Sequence, residues 1–142
     1  MFITRGTRHD KGDIRALLAT REWDNADLDE GKSFIARDGN VIGHVRVVEV
    51  EPTVVVVDDV FVAEDRRGSG IGTALMKAAM LAQGGTMYCC CHEDRIAFYE
   101  RLGFTLLPNG FDDAPAAAQE YWKKVDDFPT PEGHEHFFMT AR

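Results

Sequence analysis

Residues Arg66-Arg67-Gly68-Ser69-Gly70-Ile71-Gly72-Thr73 stand between the apolar run Val60-Phe61-Val62 and a stretch rich in alanine, leucine and methionine that ends near Gln83. The pattern predicts a strand that closes at Val62, a glycine-rich turn, and a helix that opens at about Thr73. The first turn of a helix presents backbone N–H groups without intrahelical partners, at the positive end of the helix dipole, and so receives phosphate oxygens readily. Glycines let the backbone approach an anion at angles that a side chain would forbid. Arg66 and Arg67 add fixed positive charge and planar donor forks. These features together suit a pyrophosphate.

Working outward, the chain alternates between two periods. Phe2-Ile3-Thr4 is predicted as a short strand, and Asp10 to Arg21 as a helix with Ile14, Leu17 and Leu18 on one face. Ser33 to Arg37 and Val41 to Val50 pair through the turn residues Asp38-Gly39-Asn40. After Glu51-Pro52, Thr53 to Val62 is valine-rich enough to be a central strand. Three strands joined by short turns make an antiparallel meander. Beyond the loop, Gly84-Gly85 stops the helix as a left-handed cap would, and Thr86 to Cys91 is a buried strand. Glu93 to Leu102 is helical, Phe104 to Leu107 begins another strand, and His136 to Thr140 closes the chain. Ala114 to Val125 is a short helix anchored by Tyr121 and Trp122. Strand, loop, helix and strand in succession form a crossover, so part of the sheet is parallel. The fold class is α/β (α+β): a mixed, mostly antiparallel sheet with a meander, a parallel crossover pair and flanking helices, in a single domain over residues 1–142.

Two familiar phosphate loops fail on spacing. A dinucleotide fingerprint counted from Gly68 needs glycine or alanine where Thr73 stands, and it belongs to the first crossover of its fold rather than after a meander. A P-loop needs Lys then Ser or Thr after its last glycine, and no such pair follows Gly72. The segment instead resembles the acetyl-CoA loop of the GNAT superfamily of N-acetyltransferases, in which Arg or Gln, Gly, and Gly or Ala recur with the spacing of Arg67, Gly70 and Gly72. A second stretch, His92-Glu93-Asp94-Arg95-Ile96-Ala97-Phe98-Tyr99-Glu100-Arg101-Leu102-Gly103-Phe104, resembles that family's other signature, with Tyr99, Gly103 and Phe104 in its fixed places. The likeness covers about residues 32 to 107. It departs from the family at His92, where Asn is common, and at Arg95, where Ala is common.

The resemblance implies acetyl-CoA as co-substrate and a direct attack of an amine on its thioester. It implies that the main chain of Phe61 and Val62 pairs with the coenzyme's amide-rich arm. It gives the pyrophosphate to Arg67, Gly68, Ser69, Gly70, Ile71, Gly72 and Thr73, and makes His92 a further coenzyme contact. Tyr99 is then the general acid for the departing thiolate. Asp58 and Asp59, adjacent in a valine-rich strand, point to opposite faces. One of them facing the reacting amine would be a general base, with water as the alternative. The acceptor implied is a primary amine of a small molecule or of a peptide or protein. The other reading is a non-catalytic acyl-CoA sensor or interaction module on the same fold.

Composition bounds the rest. The chain has 142 residues, 44% hydrophobic and 28% charged, values of an ordinary globular protein. No stretch is long and apolar enough for a membrane span, and the start lacks a signal-peptide layout, which predicts a cytoplasmic protein. A formal net charge of −8 opposes nucleic-acid binding by phosphate neutralisation, and with it a transferase acting on charged tRNA. Cys89-Cys90-Cys91 fits neither zinc spacing nor a disulfide framework and reads as small apolar residues of a strand. His134, Glu135 and His136 lack a clear third ligand, so no metal is expected. His44 reads as a satisfied structural histidine. The long aromatic-bearing segment Asn109 to Glu135 is where a pocket cover or a homodimer interface would fall.

Overall fold

Among the described residues, 1–21, 26–125 and 135–142 of the computed structural model, strands and helices alternate as the sequence periods require. They are β1 (Phe2–Arg5), α1 (Lys11–Leu18), β2 (Lys32–Asp38), β3 (Asn40–Glu51), β4 (Val54–Val62), α2 (Ile71–Ala82), β5 (Thr86–Cys91), α3 (Ile96–Arg101), β6 (Thr105–Leu106), α4 (Ala116–Val125) and β7 (Phe137–Ala141). The strands hydrogen-bond in the order β1-β2-β3-β4-β5-β7-β6. β4 and β5 are parallel, while β1 with β2, β2 with β3, β5 with β7 and β6 with β7 are antiparallel. This is the mixed, mostly antiparallel sheet with one parallel crossover pair that the sequence predicts. Residues 126–134 of the Asn109–Glu135 segment, His134 among them, lie outside the described residues.

The chain divides into two compact units, Met1–Val48 with Asp58–Gln83, and Glu49–Val57 with Gly84–Arg142. In the first, the chain enters α1 through a capping box: the Thr7 hydroxyl accepts the His9 N–H while the Asp10 carboxylate accepts the Thr7 N–H. That box closes a 3-10 turn at Arg8–Asp10, so α1 begins one residue later than its apolar spacing suggests. Three-residue closures at Thr20 and Arg21 end it earlier than expected. Ile14, Leu17 and Leu18 are buried against Ala26, Leu28, Ile35 and Val41, with Phe61 packed on the same cluster. Each such side chain contributes about 1.5–3 kcal/mol on burial.

β3 is buried at every position from Val41 to Val48, so both of its faces are covered. α2 buries Ile71, Leu75, Met76 and Ala79. The close approach of α2 to β3 depends on Gly43, because a Cβ there would lie 2.7 Å from Leu75 Cδ1 and 2.9 Å from Ile71 Cγ2. The helix that carries the glycine loop is therefore seated through a missing side chain on the strand beneath it.

In the second unit, Val55, Val56 and Val57 are all buried, as a central strand requires. β5 alternates, with Met87, Cys89 and Cys91 buried and Tyr88 and Cys90 half-buried. Cys89 and Cys91 thus serve as small apolar residues, and burial pushes the Cys89 thiol well above its ordinary pKa. β7 inserts between β5 and β6, pairing Cys89 with Met139 on one side and Thr105 with Thr140 on the other. Trp122 of α4 is buried with its ring 4.9 Å from that of Phe138. The C-terminus of α2 differs from the expected left-handed glycine cap: the helix stops at Ala82 on an extended Gln83, and the left-handed residue is Gly85.

Filling the Gly43 gap tests how α2 is seated. Gly43→Val is expected to lower stability by about 1–3 kcal/mol through overpacking, read as a lower urea midpoint with an unchanged slope.

Candidate active site

The glycine loop is the best-formed part of the candidate site. β4 ends at Val62, a 3-10 turn spans Glu64–Arg66, and α2 opens at Ile71 on an N-cap Gly70 at φ +84°. Gly68 is left-handed as well, at φ +83°. Neither position has any protein atom within 4 Å of where a Cβ would stand, so packing does not demand glycine there. Backbone conformation does, together with whatever approaches from the open side. The first intrahelical bond of α2 runs from the Ala74 N–H to the Gly70 carbonyl, and no side chain caps the helix. The N–H groups of Ile71, Gly72 and Thr73 are thus the donors that the helix start leaves over. This donor set fits a pyrophosphate.

The flanking side chains are arranged less simply than the sequence implies. Arg66 pairs with Asp38 at 2.8 Å, an exposed contact that raises the guanidinium's pKa and lowers the carboxyl's. Arg67 lies back along β4: its Nε donates to the Val62 carbonyl at 3.1 Å and its guanidinium sits 5.2 Å from the centre of the Phe61 ring. Ser69 Oγ donates to the Arg66 carbonyl and so braces the turn. In the first unit the structure therefore brings together Phe61, Val62, Arg67, Gly68, Ser69, Gly70, Ile71, Gly72 and Thr73.

The residues expected as a base fall in a buried charge network that sequence reasoning missed. Asp59, within β4, is left-handed at φ +52°. Its Oδ2 accepts from Arg46 Nε at 3.0 Å and Nη2 at 2.9 Å, and its Oδ1 accepts from Arg21 Nη2 at 2.9 Å. All three side chains are almost wholly buried. Both carboxylate oxygens of Asp59 are thus taken by guanidinium donors. Asp58 is part-exposed, and its Oδ1 accepts the Asp59 N–H at 2.8 Å. The signal for the network was in the sequence: Arg46 interrupts the valines of β3 as Asp59 interrupts those of β4, and a charge inside a buried strand needs a partner.

His44 belongs to the same network. Its Nδ1 lies 2.8 Å from the Asp59 carbonyl, which can only accept, so Nδ1 carries the proton and Nε2 accepts from Ser33 Oγ at 2.9 Å. It is a satisfied core histidine, as expected.

In the second unit, Tyr99 is buried on α3, its ring edge-on to Phe104 at 5.4 Å and to Phe98 at 5.1 Å. Its packing partners thus include two aromatic rings. His92 precedes the 3-10 turn at Glu93–Arg95 without capping it, and its exposed ring stands 4.9 Å from that of His136. An open pocket of about 610 Å³ is lined there by His92, Glu93, Asp94, Glu135 and Phe137. Among the described residues no three His, Cys, Asp or Glu side chains are grouped to hold a metal, and no helix is long and apolar enough to cross a membrane.

Solved acetyltransferases share this fold. A GNAT-family acetyltransferase from Staphylococcus aureus Mu50 superposes with a TM-score of 0.71 at 16% identity, covering 99% of this chain and 97% of the other. The Arabidopsis thaliana Naa50 in complex with the bisubstrate analogue CoA-Ac-MVNAL gives 0.68 at 13% identity, covering 100% and 99%. At such identities the likeness speaks for the fold alone. The GNAT-family protein SP0256 from Streptococcus pneumoniae TIGR4 gives 0.66 at 25% identity over 76% of this chain and 89% of the other. No functionally curated protein matches the sequence. These neighbours define the class: an acetyltransferase fold. Residues 29–106, more than half of the chain, match the acetyltransferase (GNAT) domain, and the chain belongs to the GNAT acetyltransferase family.

Burial lowers the pKa of His44 from 6.5 to about 4, against the opposing pull of its bond to Asp59. A histidine whose folded pKa is depressed contributes stability that is complete above its unfolded pKa and is lost as pH falls toward the folded one. The fold is therefore expected to lose up to about 3 kcal/mol between pH 6.5 and 4 through this group. Urea unfolding at a series of pH values reads this directly, and His44→Gln is expected to flatten that part of the profile. Asp10, Asp29 and Asp38, whose pKa values are lowered below 3.8 by hydrogen bonds from Thr7, Lys11 and Arg66 respectively, act only in the more acidic range.

Proposed function

We propose that this protein transfers an acetyl group from acetyl-CoA to a primary amine. The observation that carries the reading is the start of α2, where left-handed Gly68 and Gly70 have open space beside them and the N–H groups of Ile71, Gly72 and Thr73 precede the first intrahelical bond, with no side-chain cap. Family membership supplies the reaction class. Arg67 is the mobile part of the phosphate site: an exposed guanidinium resting on Val62 can leave it at small cost, since such surface contacts are worth about 0–1 kcal/mol. Once it does, the Val62 carbonyl is available to the amide-rich arm of the coenzyme, and the arginine to a phosphate.

The chemistry is a direct displacement. The neutral amine nitrogen attacks the thioester carbonyl, a C–N bond forms, the C–S bond breaks, and the thiolate takes a proton. Tyr99 is the proposed donor of that proton, since a phenol and a thiol have ordinary pKa values within about two units of each other. The amine's proton goes to Asp58, Asp59 or water; both oxygens of Asp59 are already taken by arginines, and Asp58 Oδ2 lies 3.5 Å from Arg46 Nη2. The acceptor is a small-molecule or peptide amine. The neighbour bound to CoA-Ac-MVNAL shows that the same fold accommodates a peptide analogue in another protein. The acidic wall of Glu93, Asp94 and Glu135 beside His92 suits an acceptor that carries further positive charge. A cytoplasmic site of action agrees with three cysteines that are all free thiols.

Calorimetric titration with acetyl-CoA tests the reading. We expect saturable binding that Gly70→Val weakens at least about tenfold, because a β-branched residue at φ +84° is strained and blocks the approach. Absence of binding to acetyl-CoA and other acyl-CoAs by the wild type would sink the enzyme reading. Given binding, Tyr99→Phe is expected to lower kcat by about 10²–10⁴-fold with acetyl-CoA affinity retained.

A further inference from the structure

We infer that Asp59, caged by Arg21 and Arg46, is a positioning residue for coenzyme binding. It holds β4 in the left-handed conformation that sets where the main chain of Phe61 and Val62 points. The inference rests on the acetyl-CoA reading and adds to it a residue that does not touch the coenzyme.

A strand residue other than glycine at φ +52° is out of place: the left-handed region is costly for L-residues, and it persists only where the surroundings over-determine it. The surroundings of Asp59 do so at every polar atom. Its N–H donates to the Asp58 carboxylate, its carbonyl accepts from His44 Nδ1, and its two carboxylate oxygens are taken by Arg21 and Arg46. The holders come from separate segments: Arg21 follows α1, His44 and Arg46 lie on β3, and Arg46 Nη1 is itself fixed by the Glu30 carbonyl at 3.0 Å. Fold stability alone gives little reason for such a cage, since apolar residues of similar volume commonly replace a buried charge cluster without loss.

The position of the kink supplies the reason. The recorded pairing of β4 with β5 runs from Val54 to Val57, and Asp59 turns the chain two residues later. The strand then continues to Phe61 and Val62, and its end is pinned by the Ala63 N–H on the Ile42 carbonyl. Fixed at Asp59 and at Ala63, the four peptide groups between have little freedom. Their carbonyls and N–H groups hold the directions from which the coenzyme's arm is to be paired. A rotation at Asp59 would move all of them while leaving the glycine loop and α2 in place.

Acetyl-CoA affinity and thermal midpoint measured side by side separate this role from a purely structural one. Asp59→Ala, which removes the carboxylate and disfavours the left-handed turn, is expected to weaken acetyl-CoA binding by about 10- to 100-fold, as main-chain hydrogen bonds to the coenzyme's arm lose their alignment. Asp59→Asn tolerates the left-handed region and keeps an accepting oxygen, so it should recover part of that loss. Met139→Ala, at an equally buried position of β7, should lower the thermal midpoint without changing the affinity of the folded protein. Arg21→Lys keeps the charge and loses the fork, so it should bind acetyl-CoA several-fold more weakly at a near-normal midpoint. A folded Asp59→Ala that binds like the wild type would overturn the inference. If that variant does not fold, unchanged affinity in Arg21→Lys would overturn it instead. A wild type that fails to bind would bring down the coenzyme reading itself, and the inference with it.

Discussion

A carboxylate inside a valine-rich strand has to be answered by charge, and the answer given to Asp59 constrains much of the first unit. Two guanidiniums meet it in the interior, where leaving either side unpaired would cost several kcal/mol. Arg46 can reach it only if β3 carries that side chain among valines. Arg21 can reach it only if α1 ends early enough for the chain to turn in after Leu18. His44, two residues from Arg46, must remain neutral beside this charge, and its bonds to the Asp59 carbonyl and to Ser33 fix its tautomer. The register of β2 on β3 follows in part, since it sets Ile35 opposite His44 and Phe34 opposite Val45. Apolar burial drives the collapse of these strands, but it is non-directional. The charged cage is directional, and its donors and acceptors meet in the register and backbone conformation that the strands adopt.

The second constraint is steric and acts on the other side of β3. Gly43 lets Ile71 and Leu75 come close enough to seat α2, and α2 carries the glycine turn at its start. The helix that follows the loop is thereby fixed on the sheet. Gly68 and Gly70 already hold left-handed angles, and Ser69 already braces the turn. Preorganisation of this kind removes an ordering cost that binding would otherwise bear. Only Arg67 has to move on the proposed reading, and an exposed side chain moves cheaply.

These two constraints also mark how far the sequence could be read. The glycine loop, the meander and the crossover were legible because each is local: turn residues, periodicity and helix-start chemistry lie within a few positions of one another. The strand bounds fell within a residue or two for the same reason. β7 entering between β5 and β6 was not legible, since Phe137 to Ala141 carries an apolar pattern that fits several places in a sheet, and long-range pairing decides among them. The Arg21–Asp59–Arg46 cage was hidden for a related cause. Its members are separated by 13 to 38 positions, and only the oddity of Arg46 and Asp59 among valines hinted at it. The candidate site divided in the same way. The loop residues stand between β4 and α2 as their spacing put them, whereas the two arginine partners of Asp59 could be seen only in the structure.

Net charge sharpens the meaning of the loop. A chain with a formal charge of −8 repels a polyanionic coenzyme at long range, and at physiological ionic strength that repulsion fades beyond about 8 Å. Binding on the proposed reading must then be won at contact distance. The groups suited to this are backbone N–H donors, which carry partial positive charge without changing the net charge of the protein. Arg66 contributes little beyond its bond to Asp38, so the pair is locally near neutral. The same field that repels the coenzyme draws a cationic amine, and Glu93, Asp94 and Glu135 extend it around their pocket. On the proposed reading, an anionic coenzyme and a cationic amine meet one acidic protein, and peptide groups held at fixed angles suit its anion site. Left-handed Gly68 and Gly70 at the start of α2 are such angles, and the fixed bend at Asp59 is the corresponding device on β4.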